Sequence, residues 1–254
     1  MAILHKFQNY DWKNGFKTEN SILKSEFYSP EILFIGTFNH GWTCNPSDFF
    51  YGRGMYMWPI MANLFLHNEN HLTKARNINN DVPTLNDIFE ICKKGKICFA
   101  DIVKGTKEEI KINDKNGYIV VNDTYNWTDY KDSHLNYMGQ MKWLDDNTEK
   151  IIDYIKQTPS IKHIYFTFKT GGNWILEKKS NISQNVEVRC SSIFTPTGTG
   201  FRKNLPEPFN SRIKSLTHCW VWNNINHQTN INKEGYDNLN HEWLINNGVI
   251  INNF

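Results

Sequence analysis

Four short runs of apolar, β-branched or aromatic residues punctuate an otherwise polar chain: Ile32-Leu33-Phe34-Ile35, Ile97-Cys98-Phe99-Ala100, His163 to Phe168, and Val186 to Cys190. Three of them carry little polar alternation, the pattern of strands buried on both faces. The fourth alternates more and belongs nearer a sheet edge. Between these runs the spacing becomes helical. Trp58 to Phe65 has Pro59 near a first turn, where a missing N–H costs nothing. Thr84 to Ile91 opens with a Thr cap and Asp87 three residues later. Asn147 to Ile155 sets Ile151, Ile152 and Ile155 on one face and stops before Pro159. Gly172 to Glu177 starts a helix directly after the third strand. Strands separated by helices predict an α/β fold with a parallel sheet, and such sheets take ligands at the carboxyl ends of their strands.

Residues 103–140 interrupt this rhythm. Ile110 to Val121, with Asn116-Gly117 at its centre, reads as a β-hairpin inserted after the second strand. Ser211 to Trp222 reads as a helix, and about 205–254 as a C-terminal helical cap. Without an internal repeat or a linker, residues 1–254 are expected to form a single domain.

Composition narrows the function class. Of 254 residues, 14% are aromatic, far too many for a solvated disordered chain. No run approaches the ~18 apolar residues of a bilayer helix. The first six residues include a charge and no apolar core, so no signal peptide is expected and the cytoplasm is the expected compartment. Lys and Arg total 28 against 26 Asp and Glu, a formal charge of +2, which excludes a polycation but not one local basic patch. Five cysteines with no CxxC fit reduced thiols. With no HExxH either, no metal and no cofactor is expected, and the chain is expected to be a monomer. GxSxG, P-loop and strand-following GxGxxG signatures are all missing.

The strand ends hold the informative residues. Gly36-Thr37-Phe38-Asn39 follows the first strand, and Asp48-Phe49-Phe50-Tyr51-Gly52-Arg53 lies a little further on. Asp101 ends the second strand and Lys169 the third. Thr195-Pro196-Thr197-Gly198-Thr199-Gly200-Phe201-Arg202-Lys203 follows the fourth. Glycines let backbone amides approach a ligand closely. Thr hydroxyls and exposed N–H groups suit phosphate oxygens. Aromatic faces suit a nucleobase. Taken singly, each feature has a plainer reading: Gly36 as a tight turn, Phe49-Phe50-Tyr51 as core, Asp101 as a turn cap, the Thr-rich stretch as an ordinary loop. Their order along the chain is what points to a nucleotide.

That order resembles the uracil-DNA glycosylase superfamily, and within it the hypoxanthine (deoxyinosine) DNA glycosylase-like branch. The resemblance rests on His5-Lys6-Phe7, Ile35-Gly36-Thr37-Phe38, Phe50-Tyr51-Gly52-Arg53, Met57-Trp58-Pro59, Ala100-Asp101-Ile102-Val103, Pro159-Ser160-Ile161-Lys162 and Thr195-Pro196-Thr197. It implies a three-layer α/β/α sandwich with a central, mainly parallel four-stranded sheet plus the hairpin insertion. It also implies a monofunctional DNA glycosylase that hydrolyses the N-glycosidic bond of a flipped-out base and leaves an abasic site, with DNA as partner. Asn39 and Asp101, with Asp48 in reserve, would then hold the water and favour the sugar cation. Phe50 or Tyr51 would stack on the base, and Lys169 would donate to its edge. Arg53, Thr195, Thr197, Thr199, Phe201, Arg202 and Lys203 would contact DNA, with Phe201 or Arg202 as wedge. Asn39 stands where the family has Pro, and Arg53 where it has His. These changes allow two alternatives: a glycosylase for a bulky modified phage base, such as glucosylated hydroxymethylcytosine, in antiviral defence, or a catalytically inactive nucleic-acid-binding member.

Overall fold

A computed structural model describes residues 2–41, 45–53, 57–66, 82–107, 132–168 and 172–192. In chain order the strands are β1 (Phe16–Glu19), β2 (Ile22–Ser25), β3 (Ile32–Gly36), β4 (Ile97–Asp101), β5 (Val103–Thr106), β6 (Leu144–Asp146), β7 (His163–Phe166) and β8 (Arg189–Ser192). The helices are α1 (Met57–Leu66), α2 (Leu85–Gly95), α3 (Asp132–Gln140), α4 (Thr148–Gln157) and α5 (Asn173–Gln184).

The three apolar runs become β3, β4 and β7, buried at every position. They pair in parallel with β8, in the order β4-β3-β7-β8. Alternate residues of β3 feed two cores. Ile32 and Phe34 pack with Trp58, Met61 and Phe65 of α1 and with Ile88 of α2. Leu33 and Ile35 pack on the other face with Leu135 of α3, Ile151 and Ile155 of α4, and Ile175 of α5. Helices therefore cover both faces, and full burial of each such side chain is worth about 1.5–3 kcal/mol.

Two features depart from the expectation. The main sheet has six strands rather than four, because the hairpin β1-β2 adds to β4 antiparallel through Ile22 and Ala100. Its turn, Asn20-Ser21, has φ of 51° and 58°, the doubly left-handed geometry that sequence reading looks for as Asn-Gly. The fourth strand begins at Arg189, not Val186, since its register is set by pairing Arg189 with His163. Val186 and Val188 pack against the core just ahead of it. As expected from its alternation, β8 is an edge strand of the described sheet.

Of the interruption at 103–140, the beginning is β5 and the end includes α3. The former pairs antiparallel with β6 in a small second sheet. The hairpin expected at 110–121, the helix at 211–222 and the cap at 205–254 lie outside the described residues.

Helix starts follow local chemistry. The Thr84 hydroxyl accepts from the Asp87 amide at 3.1 Å, while the Asp87 carboxylate accepts from the Thr84 amide at 2.7 Å. Gly172 has no side chain to cap α5, and Asn136 of α3 does so instead, its Oδ1 accepting from the Trp174 amide at 2.7 Å. Asn147 precedes α4 but spends its side chain elsewhere, on the backbone of Asp101. No helix among the described residues is long and apolar enough to cross a membrane.

Candidate active site

Parallel pairing sets Gly36 beside Asp101, so the last residues of the two central strands meet. The chain then stays paired for two more residues, Ile102 and Val103 donating to the carbonyls of Gly36 and Thr37. Asn39 thus lies within reach of the Asp101 side chain. Its amide nitrogen donates to Asp101 Oδ2 at 2.8 Å and to the Phe50 carbonyl at 2.6 Å.

A second donor reaches the same oxygen. His5 Nε2 lies 2.8 Å from Asp101 Oδ2, with both side chains almost fully buried. The Phe7 amide donates to His5 Nδ1 at 3.0 Å, so Nδ1 carries no proton and Nε2–H faces the carboxylate. His5 is brought there by an N-terminal strap. Ile3 and Thr106 exchange backbone and hydroxyl hydrogen bonds, His5 N–H donates to the Lys104 carbonyl, and Lys6 N–H donates to the Asn39 carbonyl. Gly41 and Gly105 flank the strap closely, since a Cβ on either would fall within 2.8 Å and 2.6 Å of a strap carbonyl oxygen.

Asp101 Oδ1 points the other way, across the Cα of Gly36. A Cβ at Gly36 would lie 2.3 Å from Oδ1 and 2.7 Å from the Tyr51 hydroxyl, so glycine is what lets these groups converge. The Tyr51 hydroxyl in turn lies 2.9 Å from the Thr167 hydroxyl, just past the end of β7. The Trp58 indole N–H holds the Tyr51 carbonyl at 2.9 Å. From the opposite side, the β1-β2 turn closes on β4: the Ser21 carbonyl accepts from the Asp101 amide, and Asn147 Nδ2 bridges the Asn20 and Asp101 carbonyls.

Of the residues expected at the site, Asn39, Tyr51 and Asp101 therefore come together at the exits of β3, β4 and β7. Two others have different positions from those expected. Phe50 is 1% exposed, with its ring stacked on Phe99 at 5.6 Å and packed against His5 at 5.9 Å, so it backs the site as core and presents no face to a base. Asp48 pairs with Arg53 at 2.6 Å, and Arg53 also donates to the Pro83 carbonyl. That pair ties the Tyr51 loop to the residue before Thr84, and Asp48 has no bond to the Asp101 cluster. Lys169, Thr195, Thr197, Thr199, Phe201, Arg202 and Lys203 lie outside the described residues.

Sequence reading missed His5 and Thr167. His5 was visible only as part of a short motif, with its partner 96 positions away. Nearby, burial pushes the His40 imidazole down from 6.5 to about 4, with the Lys6 ammonium acting in the same direction. Among the described residues no group of His, Cys, Asp and Glu could hold a metal. His67 and His71 share a helical spacing but lie outside those residues.

Chemically, the arrangement is a carboxylate with one oxygen held by two side-chain donors, His5 and Asn39, and the other turned toward Gly36 and the Tyr51 hydroxyl at the strand ends. Such a group can hold and deprotonate a water, and stabilise a cation formed next to it. No family model and no curated protein matches this chain. Among solved structures it is similar to the solution NMR structure of a candidate uracil DNA glycosylase from Methanosarcina acetivorans, with 16% identity and a TM-score of 0.33, over 74% of this chain and 88% of that one.

Proposed function

We propose that the chain is a DNA glycosylase that hydrolyses the N-glycosidic bond of a flipped-out damaged or modified base. The observation that carries this reading is Asp101, buried at the end of β4 with Oδ2 fixed by His5 and Asn39 and Oδ1 turned toward Gly36 and Tyr51. Cleavage develops positive charge on the deoxyribose and negative charge on the departing base. A carboxylate beside the sugar opposes the first and orients the water that ends at C1′. Extrusion of the nucleotide costs about a few kcal/mol, less for a damaged or mispaired base. Tyr51, whose hydroxyl lies beside Gly36 and Thr167, is the stacking residue in this reading. Lys169 and the 195–203 loop supply the contacts to base edge and phosphates. The order of motifs in the sequence, from Gly36-Thr37-Phe38 through Asp101 to the Thr-rich loop, supports DNA as the substrate class.

The test is release of free base, identified by mass spectrometry, from DNAs carrying uracil, hypoxanthine or glucosylated hydroxymethylcytosine. Alkaline cleavage at abasic sites is scored in parallel. The wild-type chain should release base from at least one of these, and Asp101→Asn should slow release by about 10²–10⁴-fold. Release of uracil or hypoxanthine with glycosylated phage DNA left untouched would remove the antiviral alternative. DNA binding with no abasic sites from any substrate would replace the hydrolase by a binding module.

A further inference from the structure

We infer that His5 is a positioning residue for Asp101, its ring fixed by the Phe7 amide at Nδ1 so that Nε2 faces the carboxylate, and that the proton taken from the attacking water therefore passes to Asp101 and not to the ring. The catalytic half rests on the reading of Asp101 given above; the tautomer half does not.

In the familiar hydrolytic triad a carboxylate orients a histidine, which does the proton transfer. Here the order is reversed. The ring is buried between Phe7, Phe38 and Phe50, at centroid distances of 6.1, 6.2 and 5.9 Å, and cannot touch a substrate. Its Nδ1 accepts from the Phe7 amide, so a proton placed there would face an N–H and forfeit that bond. His5 can thus give a hydrogen bond to Asp101 but cannot relay a proton. Together with Asn39 it fixes the carboxylate plane and leaves Oδ1 as the free acceptor.

The step balances without His5 changing state. One water O–H bond breaks and its proton passes to Asp101 Oδ1. The water oxygen forms its bond to C1′ as the C1′–N bond breaks, and the bond pair leaves with the base. The base anion then takes a proton from solvent, and Asp101 returns its own to solvent. The strap is part of the machinery, because it delivers the donor.

Two measurements test this. Two-bond proton–nitrogen correlations on histidine-labelled protein, assigned with His5→Gln, should show Nε2–H and a bare Nδ1 for the His5 ring. An Nδ1–H tautomer overturns the inference. In single-turnover kinetics His5→Leu should lower kcat about 10²-fold with KM within about two-fold, as a misplaced reacting group does. His5→Gln, which keeps an N–H near the position of Nε2, should recover at least about ten-fold of that loss. Equal kcat in wild type and His5→Leu, or no recovery in a folded His5→Gln chain, overturns it as well. Failure to release any base from any DNA sinks the hydrolase reading alone, and the tautomer still decides the place of His5.

Discussion

The hydroxyls of Tyr51 and Thr167 lie 2.9 Å apart, joining the loop beyond β3 to the exit of β7. Thr167 Oγ1 is also 3.3 Å from the Ile35 carbonyl. A carbonyl can only accept, so Thr167 donates to Ile35 and receives its second bond from Tyr51. The Tyr51 ring is held edge-on to Phe99 at 5.9 Å, which leaves its orientation little freedom.

Replacing Tyr51 by Phe should therefore cost about 1 kcal/mol in urea unfolding, the net worth of one such bond. Thr167→Val should cost more, about 1–3 kcal/mol, because it strips the acceptor from a half-buried phenol as well as the donor from Ile35. If Tyr51 stacks on the base, Tyr51→Phe should keep most of the base-release rate and Tyr51→Ala should lose binding worth ~1–3 kcal/mol.

Gly36→Ala should abolish base release. Its Cβ would meet Asp101 Oδ1 at 2.3 Å and the Tyr51 hydroxyl at 2.7 Å, and neither group sits on a long flexible chain. Relief requires moving the carboxylate, at about 1–3 kcal/mol. Gly139→Ala is the control: its Cβ would strike the Trp174 ring at 2.1 Å, destabilising the α3–α5 contact. Its melting temperature should fall, with the rate of the remaining folded protein unchanged.

Thr84→Ala should cost about 0.5–2 kcal/mol by removing the α2 cap, with no effect on base release at a temperature where the chain stays folded. A change in substrate preference from this variant would show that the Arg53 contact to Pro83 transmits to the Tyr51 loop.

His40 sets a pH dependence. Its imidazole titrates near 4 in the folded chain and near 6.5 when exposed, so the unfolded state binds the extra proton first. Folded-state stability from this group is complete above about pH 6.5 and declines as pH falls toward about 4. Urea midpoints measured between those limits should drop less steeply for His40→Gln than for wild type.

How much of this was readable in advance depends on distance along the chain. β3, β4 and β7 announced themselves because strands buried on both faces need unbroken apolar runs. Asn39 and Asp101 could be paired because each lies at or just past the end of a neighbouring parallel strand. Phe50 could not be placed, since a Phe-Phe-Tyr run looks the same under a site as within it, and only the Phe99 stack separates Phe50 from Tyr51. The β1-β2 hairpin was hidden by its four-residue strands and by a Ser where a turn glycine is usual. His5 was beyond reach: nothing local to it distinguishes a histidine that fixes a carboxylate from one that merely fills space.

The strap threaded between Gly41 and Gly105 has a consequence for when the molecule becomes competent. Residue 5 and Asp101 lie 96 positions apart, and joining them closes a large loop, which is entropically uphill. A nascent or partly melted chain can own the sheet and still lack the ring that aims the carboxylate. Under the proposed activity, a chain trimmed of residues 2–5 should keep its sheet and lose most of its base release, because the tether that steers the carboxylate is gone.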